Sequence, residues 1–210
     1  METVLLTAFE PFGDYEENPT ATVLADIPDF LYNAKVIKVT LPVVYHHAFN
    51  VLLPYIEKHK PKVIVMLGLA GGRTHVSIER VAVNIASSKQ ADNLGNRLHE
   101  QRLEEGGADA YFTNMPLSKI IRRLHKKTIP AAISESAGTF VCNTLMYRVM
   151  HLIRRESLDT VAGFVHVPLL PHQTIGKSQL PSLEKRHMVD AVLTIIDTLI
   201  NPVEIDVRQV

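Results

Sequence analysis

The 210-residue chain has no tryptophan and one cysteine, Cys142. A lone thiol excludes an intrachain disulfide framework and points to a reducing compartment. There is no excess of either charge: Lys plus Arg and Asp plus Glu each total 22. That balance gives no reason to expect a nucleic-acid partner, and no basic stripe with interleaved aromatics occurs. No apolar run approaches the roughly 20 residues of a membrane-spanning helix. The first ten residues have an apolar centre but no basic n-region and no cleavage site, so they read as a strand and not as a signal peptide. Linkers, repeats and low-complexity tracts are also missing. These absences predict a soluble, cytoplasmic protein made of one domain, residues 1–210.

What is present is a hydrophobic fraction of 46%, enough to build a substantial core at this length. Its pattern alternates between strand and helix. Residues 3–9, 34–44, 62–67, 129–134 and 159–167 read as strands, and the continuous apolar run at 62–67 suits a strand covered on both faces. Asn18-Pro19 marks a helix start, with Asn as cap and Pro at the first helical position. Helical spacing follows at 45–60, which Pro54 interrupts, at 116–127, and beyond Cys142. A last helix is expected from Ser182 to about residue 200, then an edge strand at 203–207. Residues 74–86 look like extended segments broken near Glu79-Arg80, so the sheet should be mixed. Residues 87–107 read as a long polar loop, a length that often signals function. The alternation predicts an α/β fold with helices on both faces of the sheet.

Chemistry concentrates at residues 136–147. Thr139 is placed to cap the helix that follows, which would set Cys142 in the first turn. Free amides and the positive end of the helix dipole favour a thiolate there and could later hold an oxyanion. A cysteine nucleophile also needs a base, and the base needs an orienting group. His166 ends the next strand, on the rim where that helix begins. Two acids could complete the set, Glu79 after a Gly-rich loop and Glu10 after the first strand, and chain order does not separate them. Phe9 and Phe12 either plug the sheet edge or line a pocket beyond the strand ends. The glycines of residues 68–72 lack the spacing of a phosphate loop, and adjacent His46 and His47 cannot form a metal pair on one helix face.

Four segments carry a resemblance across nearly the whole chain: Phe9-Glu-Pro-Phe-Gly13 with Asn18-Pro19, Gly68-Leu-Ala-Gly-Gly-Arg73 running into Ile78-Glu-Arg-Val-Ala-Val-Asn84, Ala137-Gly-Thr-Phe-Val-Cys-Asn143 with Tyr147, and Gly163-Phe-Val-His-Val-Pro168. The sequence resembles the pyrrolidone-carboxylate peptidases, or pyroglutamyl peptidase I. The resemblance implies an open three-layer α/β/α sandwich and removal of N-terminal 5-oxoproline from peptides. It implies Cys142 as nucleophile, His166 as base then acid, and Glu79 as the orienting group. It also implies a pocket lined by Phe9, Phe12, Phe140 and Val141, with Asn18 ordering the first loop. No metal or cofactor is implied, and members commonly form homotetramers. Two positions depart from the family's frequent pattern: Leu69 stands where Gln is common, and Lys89 where Arg is common, near the substrate and a possible oxyanion or loop contact. A non-catalytic binding protein on the same fold and a nucleoside phosphorylase-like enzyme are the competing readings. The intact Cys142, His166 and Glu79 argue against the first, and the missing phosphate-loop pattern against the second.

Overall fold

The computed structural model describes residues 1–201, so the edge strand expected at 203–207 lies outside the described residues. In chain order the elements are β1 (Glu2–Phe9), α1 (Pro19–Asp26), β2 (Phe30–Leu31), β3 (Ala34–Leu41), α2 (His47–His59), β4 (Val63–Leu69) and β5 (Val76–Glu79). There follow β6 (Val81–Val83), β7 (Ile85–Ala86), β8 (Gln101–Arg102), β9 (Ala110–Phe112), α3 (Leu117–Lys126), β10 (Ala131–Ser134), α4 (Val141–Arg155), β11 (Val161–Val167) and α5 (Lys185–Ile200).

The sheet that positions the site has seven strands, ordered β10-β5-β11-β4-β1-β3-β2. Its two-residue side-chain period distributes one strand between two cores. Along β1, Val4, Leu6 and Ala8 pack in one cluster, and Leu5 and Phe9 in the other. The first cluster is closed by α1, α3 and α5 through Val23, Ile120 and Ile195. The second is closed by α2 and α4 through Leu52 and Leu145. This is the expected sandwich of three layers, and β4, at its centre, is buried along its entire length.

The sheet is mixed, as anticipated, but the antiparallel pairings are made by β5 with β11 and by β2 with β3, and not by neighbouring segments of residues 74–86. The chain leaves the main sheet after Glu79 because α4 captures it. Asn143, fully buried, accepts the Val83 amide at 2.9 Å and donates to the carbonyls of Val83 at 2.9 Å and Ile85 at 3.0 Å. The segment therefore pairs with β9 instead, Val81 opposite Phe112.

Helix starts differ from expectation at three places. α1 begins as anticipated, with Asn18 Oδ1 accepting the Thr20 amide at 3.1 Å and Pro19 at the first position. α2 begins at His47 because His46 adopts a φ of 55°, and the helix then runs on through Pro54. α4 is flanked by Phe140 and has no side-chain cap. Thr139 is instead spent on the long loop: its hydroxyl donates to the Ser87 carbonyl and its own carbonyl accepts the Ser87 amide at 3.0 Å. α5 begins at Lys185, and Ser182 forms an isolated bridge to Leu169.

Candidate active site

Three chain segments converge on Cys142. The end of β1 and the loop after it bring Phe9, Phe12 and Asn18; the end of β4 brings Leu69; the start of α4 brings Phe140, Val141 and Cys142 itself. With Val43 these residues line one small pocket, and Cys142 is half-buried on its wall. The walls are nearly all apolar. The Phe12 and Phe140 ring centroids lie 6.3 Å apart, and Tyr45 backs Phe140 edge-on at 5.3 Å. Asn18 is committed to the frame. Besides capping α1, its Nδ2 donates to the Glu10 carbonyl at 3.0 Å, which folds the loop after β1 back beside the pocket.

His166 lies one strand away. It sits opposite Gly68 on β4 and Ser77 on β5. Because β5 runs antiparallel to β11, Glu79, two residues past Ser77, is a same-face diagonal neighbour of His166. Its Oε1 is 2.7 Å from His166 Nδ1, and both side chains are buried. A carboxylate can only accept, so Nδ1 carries the proton and Nε2 of the neutral ring is left as an acceptor. The same Glu79 oxygen also receives Arg73 Nη1 at 2.6 Å. Gly68 makes room for this arrangement: a Cβ there would lie 2.5 Å from Phe164 Cε1 and 3.0 Å from His166 Cδ2.

The charges follow from the packing. Burial alone would raise the Glu79 carboxyl, but hydrogen bonding and attraction from His166, then Ser134 and Arg73, more than offset it and hold it below the ordinary range. Burial lowers His166, Arg73 adds to that, and Glu79 opposes both, leaving the imidazole neutral at ordinary pH. Cys142 runs against the expectation from its helix position. Burial, then the nearby Glu79 charge, pushes its thiol up to about 12, outweighing the helical amide and Arg73. The resting pair is therefore a thiol and a neutral imidazole, not a thiolate and an imidazolium. A helix N-terminus stabilises a thiolate only while solvent shares the charge, and here apolar walls remove that help.

The structure brings Phe9, Phe12, Asn18, Leu69, Phe140 and Val141 together around one pocket. Leu69 contributes apolar wall. Lys89 is not among them; it is exposed, and its backbone carbonyl accepts Arg97 Nε at 3.2 Å. Glu10, the alternative acid, holds Asn93 at 3.0 Å and leaves His166 to Glu79. Arg80 pairs outward with Glu135 at 2.7 Å and not with its neighbour Glu79. Cys142 and His166 share no hydrogen bond among the described residues, and catalytic bonds of this kind commonly close only around substrate. Sequence reasoning missed two contributors. Arg73 sat inside a quoted motif with no role assigned. Asp92, in the long loop, accepts the Tyr45 amide at 3.1 Å and so buttresses the ring behind Phe140. A single acid in a polar loop carries no signal that would have singled it out.

Known proteins resemble the chain in both sequence and fold. The sequence model described as pyroglutamyl peptidase matches residues 2–202. A pyrrolidone-carboxylate peptidase of Thermosipho africanus is 39% identical over 197 residues, covering 94% of this chain and 96% of that protein. One from Thermococcus onnurineus is 40% identical, covering 93% and 97%. Among solved structures, pyroglutamyl peptidase I from Bacillus amyloliquefaciens superposes with a TM-score of 0.91 at 36% identity, covering 98% of this chain and 99% of that one. A mutant pyrrolidone carboxyl peptidase from Pyrococcus furiosus gives 0.92 at 37% identity, covering 95% and 99%.

Proposed function

The chain belongs to the pyroglutamyl peptidase family, and from that premise we propose that it is a cysteine peptidase that removes N-terminal 5-oxoproline through a thioester, with Cys142, His166 and Glu79 as its catalytic residues. The observation that carries this reading is a thiol on an apolar pocket wall within electrostatic reach of a buried, ionised glutamate, which in turn holds Nδ1 of a neutral histidine.

The substrate's terminal residue is a neutral lactam with no free amine. A pocket of Phe9, Phe12, Leu69, Phe140 and Val141 suits such a ring, because it offers no acid to an ammonium group and removes apolar ring surface from water. As Cys142 Sγ attacks the carbonyl carbon, its proton passes to His166 Nε2, and the carbonyl electrons move onto oxygen. First-turn amides of α4, which have no acceptor within the helix, are suited to hold that oxyanion. Collapse of the adduct breaks the C–N bond, and His166 returns the proton to the leaving amine. Water then attacks the thioester with His166 as base, freeing 5-oxoproline and regenerating the thiol. Glu79 keeps Nδ1–H in place and stabilises the imidazolium formed in each half-reaction. Starting from two neutral groups, proton transfer accompanies attack and does not precede it.

Release of a fluorescent amine from a pyroglutamyl amide tests the reading. We expect turnover that iodoacetamide abolishes and that Cys142→Ala lacks; substantial turnover by Cys142→Ala would overturn the mechanism. The whole chain is read as one peptidase domain. Its lone thiol supports a cytoplasmic setting, and likeness to the family supports a homotetramer or dimer, which light scattering on the purified protein would measure.

A further inference from the structure

We propose that Arg73 is a positioning residue for the proposed reaction, a clamp that fixes the Glu79–His166 pair and ties it to the strand end leading into the Cys142 helix. The inference rests on the catalytic roles argued above for Glu79, His166 and Cys142.

Arg73 follows the Gly-rich loop at the end of β4, and the loop is closed behind it by the Arg73 amide donating to the Ala70 carbonyl at 3.0 Å. From there the guanidinium reaches three groups on two other segments. Nη1 donates to Glu79 Oε1 at 2.6 Å, the same oxygen that takes His166 Nδ1 at 2.7 Å. Nη2 donates to Ser134 Oγ at 3.2 Å and to the Ser136 carbonyl at 3.5 Å. Ser134 is the residue of β10 paired with Glu79 on β5, and Ser136 starts the turn into α4. A planar fork can span these acceptors at once, which an ammonium cannot. The guanidinium is only 27% exposed while the carboxylate is fully buried, so water substitutes poorly for it. Cys142 and His166 lie within its electrostatic reach, and it lines no part of the apolar pocket.

The geometry has an electrostatic consequence. The charged groups facing His166 are Glu79 from β5 and Arg73 from the β4 loop, and the same two groups act on the Cys142 thiol of α4. Glu79 favours imidazolium and Arg73 opposes it. Removing Arg73 leaves the carboxylate unopposed, so His166 takes up its proton at higher pH and the acidic limb of the rate profile moves upward.

The test compares the full-length chain with Arg73→Gln and Arg73→Lys, using pH profiles of kcat and KM on a pyroglutamyl amide and the NMR titration of the His166 ring. Arg73→Gln should lose about 100-fold in kcat, the scale of a small misplacement of reacting groups, with KM little changed. Its acidic limb and its His166 titration should both move to higher pH. Arg73→Lys, which keeps charge without the fork, should restore the limb's position and only part of kcat. An unshifted limb and unshifted His166 titration in Arg73→Gln would overturn the proposal, as would a loss confined to KM. The ring titration needs no turnover, so an inactive wild-type protein would defeat the peptidase reading while the Arg73 clamp is still judged by the titration.

Discussion

Gly68 is the position beside His166 at which the fold leaves little room for change, and Gly68→Ala makes that quantitative. The added Cβ would meet Phe164 Cε1 at 2.5 Å and Cζ at 2.7 Å, against 3.4–4 Å for ordinary contact, and His166 Cδ2 at 3.0 Å. Phe164 is fully buried, so its ring can yield only by moving the packing around it. Overpacking of this kind costs about 3 kcal/mol, which lowers the melting temperature of a chain this size by about 6–12 °C. Activity should fall further than stability explains. The Phe164 and His166 ring centroids are 4.8 Å apart, so a ring driven away from β4 carries the imidazole with it, and a displacement near 1 Å costs about 100-fold in rate. Thermal melts and kcat on a pyroglutamyl amide read both effects. Gly72→Ala, in the same loop, supplies the control: nothing lies within 4 Å of its added Cβ, so its stability should stay within about 0.5 kcal/mol of the parent. The added Phe164→Leu change in the Gly68→Ala background should recover part of the lost stability. A Gly68→Ala protein that melts with the parent, or a Gly72→Ala protein equally damaged, would refute the steric reasoning.

Two further outcomes follow from the site's surroundings. Because burial pushes the Cys142 thiol up to about 12, alkylation of the substrate-free protein by iodoacetamide should be slow near pH 7 and keep accelerating beyond about pH 9; a rate that levels off below about pH 8 would show a resting thiolate. Asp92→Ala removes the acceptor of the Tyr45 amide at 3.1 Å and of the Leu94 and Asn96 amides at 3.0 and 2.9 Å. Leaving the buried Tyr45 amide unpaired costs about 1–3 kcal/mol, and loosening Tyr45 behind Phe140 should raise KM; unchanged melting temperature and KM would sink that role for the loop.

Much of the architecture was legible because its causes are local. The short apolar run in β1, the unbroken apolar run in β4 and the Asn18-Pro19 start of α1 each depend on a few adjacent side chains. The pocket residues came from likeness to a family, which also decided for Glu79, the acid already placed ahead of Glu10 by its position after the Gly-rich loop. Thr139 misled because a hydroxyl before a helix has two local uses, and the choice was made by Ser87, 52 residues away. Arg73 and Asp92 went unnoticed because their meaning lies wholly in distant partners.

The sequence by itself determined the alternation of strands and helices, the scarcity of thiols that singles out Cys142, and the motifs that mark the family. Only the tertiary structure decided how those parts work together. It turned β5 antiparallel to β11, and that reversal makes Glu79 a diagonal neighbour of His166 across 87 residues of chain. It also set Cys142 among apolar walls and near the Glu79 charge, which reverses the protonation its helix position suggested. Both outcomes have one physical reason: hydrogen-bond partnership and desolvation belong to the assembled sheet and its covering helices, and no short stretch of chain contains them.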